Sequence, residues 1–258
     1  HGDGAGMNLL NLADLEWDAV LTNATAAGLS VKLPDAVPTT KIIGGISRYF
    51  IEKYGFSQEC RCAHFTGDNP ASLVGMGATT PGNVVVSLGT SDTFFAAMPE
   101  AKTDPNGFGH VFGNPLGGYM SLICFRNGSL AREALRDQLG LDWSAFDQAA
   151  LGTTREAAGK NLMLPFFGPE ITPRGDFRQP MRRGSADFES GGEPGLQTRA
   201  LLEGQFLNMR LHSQWMNVTT ERLLLSATKQ KNKAADALNA AGATTNALVK
   251  AIAELRKG

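Results

Sequence analysis

Residues 83–98, NVVVSLGTSDTFFAAM, constrain the fold more than any other stretch. A β-branched run, VVVSL, is followed after Gly89, Thr90 and Ser91 by a second apolar run, DTFFAAM. Two such runs joined by three small residues read as a hairpin with Gly-Thr-Ser at its tip. Further strands are expected in GGYMSLICF and RLLLSA, with helical patterns around them: from Leu15 to about Ala27, and in KIIGGISRYFIEKYGF up to Gly55. NGSLAREALRDQLG reads as a helix with Asn127 or Ser129 as cap and Gly140 as stop. In LQTRALLEGQFLNMRLHSQWM, Leu202, Phe206 and Met209 share a helical face. CRCAHFT reads as a short strand leading into the helix start NPASLVGMG, with Asn69 as cap, Pro70 in the first turn and Asp68 in the turn before it. Strands mixed with helices place the chain in the α/β class. The stretch 168–195 has no periodicity and is expected to be a functional or mobile loop, while the Ala-rich tail from Lys229 is helical by propensity.

A chain of 258 residues, 42% of them hydrophobic, has room for one large domain or two modest ones. With 24 Lys and Arg against 25 Asp and Glu, no long-range field favours a polyanion, so no nucleic acid is expected, and a small ligand or a protein partner is. No apolar run reaches the roughly 20 residues that cross a bilayer, so no membrane is expected either. Cys60, Cys62 and Cys124 form no CxxC pair, which favours a reducing, cytoplasmic setting. His1, His64, His110 and His212 are scattered without metal or triad spacing, and no metal site is expected from the residues.

Two turns carry the candidate chemistry. Asp68 stands between a strand and a helix, where α/β folds gather ligands, although it could equally serve the helix end alone. Gly89, Thr90 and Ser91 offer close backbone approach, hydroxyls and N–H groups, the makings of a phosphate nest, and also of an ordinary hairpin tip. Asn127 and Ser129 at a helix start could hold a phosphate but more simply cap. Neither a Walker GxxxxGK[ST] nor a GxGxxG after a strand is present, which argues against P-loop and Rossmann sites.

In order along the chain, DGAGMNLL, FTGDNPASL, VVVSLGTSDTFF, CFRNGSLARE and RALLEGQF resemble the middle portion of the xylulose kinases, members of the FGGY carbohydrate kinase family. The resemblance implies an actin-like, ribonuclease-H-like ATPase fold with two domains. Residues 1–78 would be the end of the sugar-binding domain and 79–228 the start of the nucleotide-binding domain, with 229–258 a divergent helical tail. It further implies that Asp68 is the catalytic base for the sugar hydroxyl, that Asn69 contacts the sugar, and that Gly89, Thr90 and Ser91 cradle the phosphates of ATP, used with Mg²⁺. The implied reaction is phosphorylation of D-xylulose to D-xylulose 5-phosphate. The alternatives are another FGGY sugar or polyol kinase and a non-catalytic binding or regulatory fragment. The family's Asp-x-Gly-Thr hairpin is not found here, and KQKNKAADALNAAGATT follows Thr228 where the family continues with a Gly-Gly-Ala-Ser turn. The chain therefore reads as a central piece, and a truncated first domain is expected to expose strand edges and apolar faces between Gly4 and Gly77 and to favour self-association.

Overall fold

The computed structural model describes residues 1–227, so the expected helical tail from Lys229 lies outside the described residues. In chain order the first elements are α1 (Gly2–Gly6), α2 (Ala19–Thr25), β1 (Ile42–Gly45), α3 (Arg48–Tyr54), β2 (Arg61–Ala63) and α4 (Asp68–Gly75). Then come β3 (Asn83–Leu88), β4 (Asp92–Met98), β5 (His110–Gly113), β6 (Tyr119–Phe125), α5 (Ser129–Gln138), α6 (Trp143–Gly152) and α7 (Arg155–Ala158). The remainder are β7 (Leu162–Leu164), β8 (Glu170–Ile171), β9 (Arg174–Gly175), β10 (Met181–Arg183), α8 (Ala186–Glu189), α9 (Pro194–Ser213) and β11 (Arg222–Ala227).

Two compact units divide the chain. The first takes in His1–Val84, Phe95–Leu122 and Met216–Arg222, the second Val85–Phe94, Ile123–Trp215 and the chain from Leu223. A five-stranded sheet has the order β11-β3-β4-β6-β5. Three successive residues of β3, Val84 to Val86, are all buried, as in a strand covered on both faces. Strand β5 pairs antiparallel with β6, Val111 opposite Ser121. At four residues, HVFG is too short to show a period, and sequence reasoning passed over it.

In the first unit α1 packs on β5, and its glycines are required there: a Cβ on Gly2 would stand 2.6 Å from Thr66 Oγ1 and 3.1 Å from the Gly113 carbonyl oxygen. The helix expected from Leu15 starts later, because Leu15 has φ +61°, outside the right-handed helical region. Asp18 is the cap instead, its side chain accepting from the Leu21 amide at 2.8 Å. Helix α3 ends at a left-handed Gly55, as expected. No residue of α3 is buried and all four of β1 are exposed, so the expected apolar faces are present. Tyr49, Phe50, Tyr54 and Phe56 stack mainly on one another, with Lys53 Nζ 5.0 Å from the Tyr49 ring centre.

The second unit is built on Ala131, Leu135, Phe146, Met163, Phe188, Leu196, Ala200 and Leu201. Helix α9 lies against α6 and β7. The buried face of α9 is not the expected Leu202–Phe206–Met209 stripe. Met209 is buried, but Leu202 and Phe206 are only partly so, and Gln197, Leu201, Gly204, Gln205 and Asn208 are inside. Counting large apolar residues missed this because Gln197, Thr198, Gln205 and Asn208 share the buried face with small residues such as Ala200 and Gly204. The stretch expected to be an irregular loop, 168–195, is structured: β8 and β9 form a hairpin, β10 pairs with β7, and Ser185 caps α8. Pieces of two to four residues leave no periodicity to read.

Candidate functional site

The Gly-Thr-Ser turn joins β3 to β4, neighbours in the sheet, so the expected hairpin is present with residues 89–91 at its tip. The first residue after the tip, Asp92, is only 1% exposed. Its Oδ1 accepts from the Gly89 amide at 3.1 Å, and both its oxygens meet the Arg132 guanidinium, Nη1 to Oδ2 at 2.8 Å and Nη2 to Oδ1 at 3.0 Å. This fork-to-fork arrangement fixes orientation as well as charge. Arg132 Nη1 also donates to Gln205 Oε1 at 3.0 Å, and Gln205 Nε2 donates to the carbonyls of Asn127 (2.6 Å) and Gly128 (3.0 Å). The Gly89 carbonyl in turn accepts from the Ser129 amide at 2.9 Å. The turn therefore rests on the N-terminal end of α5, where unpaired helix N–H groups give a partial positive charge. Gly128 must lack a side chain, since a Cβ would lie 2.6 Å from the Asp92 nitrogen.

Thr90 and Ser91 are exposed at the tip. Among the described residues no hydrogen bond engages their amides or hydroxyls, whereas both backbone groups of Gly89 are committed.

Asn127 and Ser129 do not cap α5. The cap position is Gly128 and makes no side-chain hydrogen bond. The Asn127 side chain instead accepts from the Phe167 (2.9 Å) and Gly168 (3.2 Å) amides and donates to Glu170 Oε2 at 2.9 Å. Glu170 is buried and also accepts from the amides of Arg126 and Ile171, both at 2.6 Å. Satisfied in this way, a buried carboxylate ties the turn before α5 to the β8 hairpin. Burial, and next the nearby Glu170 charge, push the Cys124 thiol above its ordinary range.

In the first unit, α4 begins earlier than expected. Gly67 is the cap, and Asp68, Asn69 and Pro70 occupy its first turn. Asn69 is therefore not the cap and Pro70 is not the first helical residue. Proline is tolerated at the third position because first-turn N–H groups have no helical partner to lose. Pro70 and Leu73 are buried and anchor the helix, Asn69 is half-buried, and Asp68 is exposed. Among the described residues, the Asp68 carboxylate makes no hydrogen bond or ion pair. The Asp3 carboxylate of α1 lies against Gly67, close enough that a Cβ on Gly67 would collide with Oδ1. Beside them Thr66 Oγ1 is buried and has no partner among the described residues.

Asp68 and Asn69 thus belong to the first unit and Gly89, Thr90 and Ser91 to the second, each motif intact within its own unit. Sequence reasoning missed Asp92, Arg132 and Gln205. The one available signal was a lone aspartate beginning a β-rich run, where a charge is otherwise out of place.

Among the described residues, no group of three or more His, Cys, Asp or Glu could hold a metal ion, and no helix is long and apolar enough to cross a membrane.

No model of a known protein family matches the sequence. The xylulose kinase of Rattus norvegicus is 41% identical over 218 residues, which is 83% of this chain and 40% of the relative. Xylulose kinase 2 of Arabidopsis thaliana is 36% identical over 240 residues, 88% of this chain and 42% of the relative. Among solved structures, a xylulose kinase from Brucella ovis superposes with a TM-score of 0.74 at 25% identity, over 88% of this chain and 47% of that one. The mixed α/β architecture is that of the FGGY carbohydrate kinases, the actin-like ATPase fold. The chain spans about two-fifths of the length of the curated relatives it matches.

Proposed function

We propose, from the premise that this chain is over most of its length a relative of the xylulose kinases of the FGGY carbohydrate kinase family, that the protein it represents phosphorylates D-xylulose with ATP. Residues 1–78 then correspond to the end of the sugar-binding domain and 79–228 to the start of the nucleotide-binding domain. A cytoplasmic setting suits the three free thiols.

A sugar hydroxyl is a weak nucleophile. Asp68 is the base: its exposed carboxylate, unengaged among the described residues, accepts the proton of the terminal hydroxyl as that oxygen bonds to the γ-phosphorus and ADP leaves. Asn69, one residue further into the first turn, contacts the sugar. Gly89, Thr90 and Ser91 receive the phosphates, with the amides and hydroxyls of Thr90 and Ser91 as donors and Gly89 as the fixed entry to the turn. Mg²⁺ would enter on the nucleotide's own oxygens, since this ion is typically held by one or two carboxylates plus phosphates and waters rather than an all-protein cage. When bound it neutralises phosphate charge. The observation that carries this reading is the pre-set turn: among the described residues its tip donors are unengaged, while Gly89, Asp92 and Arg132 behind them are held by hydrogen bonds.

The test has two arms. Titration of this chain with Mg·ATP should give saturable binding abolished by loss of the Gly-Thr-Ser donors. In the complete protein, Asp68→Asn should abolish turnover with ATP binding retained. Unchanged turnover in Asp68→Asn would remove the base assignment. No binding of ATP by this chain would favour the non-catalytic reading, and a sugar panel would separate D-xylulose from other polyols and ketoses.

A further inference from the structure

A phosphate nest should not have a carboxylate behind it, yet Asp92 is directly adjacent to Ser91 and almost fully buried. An uncompensated anion in low-dielectric surroundings would repel the incoming phosphates. The structure pairs it instead with Arg132, whose side chain is only 11% exposed, through two short hydrogen bonds.

We infer that Asp92, Arg132 and Gln205 form the positioning network of the polyphosphate site: Asp92 selects which tip amides are free, and Arg132 cancels its charge so that an anion can approach. The inference rests on the phosphate reading of the Gly-Thr-Ser turn given above.

The geometry supports both parts. Asp92 Oδ1 occupies the Gly89 amide while the Ser129 amide occupies the Gly89 carbonyl, so the peptide planes on both sides of Gly89 are fixed. The first donors left for a ligand are those of Thr90 and Ser91. Arg132 is held from two sides, by the Asp92 fork and by Gln205 Oε1, and Gln205 cannot turn away without releasing the Asn127 and Gly128 carbonyls. A lysine would match the charge but not this planar, three-bond geometry. None of the three side chains needs to touch the ligand.

The measurement is titration of this chain with sodium tripolyphosphate, followed by the ¹H and ¹⁵N shifts of the Gly89, Thr90 and Ser91 amides. The wild-type chain should shift at Thr90 and Ser91, with Gly89 little changed. Arg132→Met leaves the buried carboxylate uncompensated and should weaken binding by about tenfold or more. Adding Asp92→Asn to Arg132→Met should regain most of that loss. Asp92→Asn alone keeps an oxygen for the Gly89 amide, removes the negative charge and should bind tripolyphosphate at least as tightly as wild type. If Arg132→Met does not fold, this last variant still decides the matter.

Binding by Arg132→Met within about twofold of wild type, a double variant as weak as the single one, or an Asp92→Asn variant weaker than wild type would each overturn the positioning role and leave the phosphate site standing. Absence of any shift at Thr90 and Ser91 in the wild-type chain would overturn the phosphate reading itself, and the positioning role with it.

Discussion

Asp68 and the Gly-Thr-Ser turn are held in opposite ways. Behind the turn stand a buried ion pair, a glutamine and the start of a ten-residue helix, linked by hydrogen bonds. The Asp68 carboxylate stands at the exposed first turn of α4 and is bonded to nothing among the described residues. The difference matches the two tasks proposed for them. A nest for phosphate charge works by being in place beforehand, whereas a base must keep its lone pairs uncommitted until a hydroxyl arrives.

The sharpest way to break this contrast is Asp68→Asn in the complete protein. Turnover should fall by about 10²- to 10⁴-fold, with the midpoint of thermal unfolding within error of wild type; a large loss of stability would mean that Asp68 is structural. Arg132→Met should act on the fold as well as on the turn. Leaving Asp92 buried and unpaired should cost about 3 kcal/mol in urea unfolding, and an undiminished midpoint would show the pair to be dispensable.

Gly204→Ala probes the same unit away from the turn. The added Cβ would meet the Met163 carbonyl oxygen, backbone that cannot swing aside. Separation of α9 from β7 should cost about 1–3 kcal/mol, read from the same denaturation curves.

Asp147 on α6 gives a pH test. Burial pushes its carboxyl up to about 6, and Oδ2 is buried with no partner among the described residues. Between the ordinary aspartate value of 3.8 and about 6 the folded chain holds a proton that the unfolded chain has lost. Stability therefore falls as pH rises through that window and is not regained above it. Asp147→Asn should flatten the curve and stabilise the chain at neutral pH by about 1 kcal/mol once solvent screening is allowed for. An unaltered pH profile would remove Asp147 from this role.

The smallest expected effect lies in the first unit. Tyr49, Phe50 and Tyr54 are 54%, 43% and 58% exposed. We expect this face to mediate self-association. Phe50→Ser should shift sedimentation toward the monomer while changing stability by no more than about 1 kcal/mol; a monomeric wild-type chain would remove the expectation.

What was legible in the sequence depended on how local the cause was. The Gly89–Ser91 hairpin and the left-handed Gly55 follow from a few adjacent residues, and both were read correctly. Asn127 looked like a cap because asparagine before a helix usually is one, but its partners lie about 40 residues away at 167–170. Asp92 and Arg132 are likewise 40 positions apart, and no periodicity links them. The helix start at Gly67 was misplaced by two residues because Pro70 fits the third helical position as well as the first. The Asp68 and Gly-Thr-Ser motifs were visible as residues, while what supports one and leaves the other free was not.

Helix α9 has a consequence for which positions can drift. Three amide side chains on its inner face each hold a main-chain carbonyl from a different segment: Gln197 that of Phe188, Gln205 those of Asn127 and Gly128, and Asn208 that of Thr172. Every residue type carries a carbonyl, so these anchors depend on the α9 amides and not on the side chains of the residues held. One helix thus gathers a constraint on three segments. Random mutagenesis should therefore find an intolerant Gln197–Gln205–Asn208 stripe on α9.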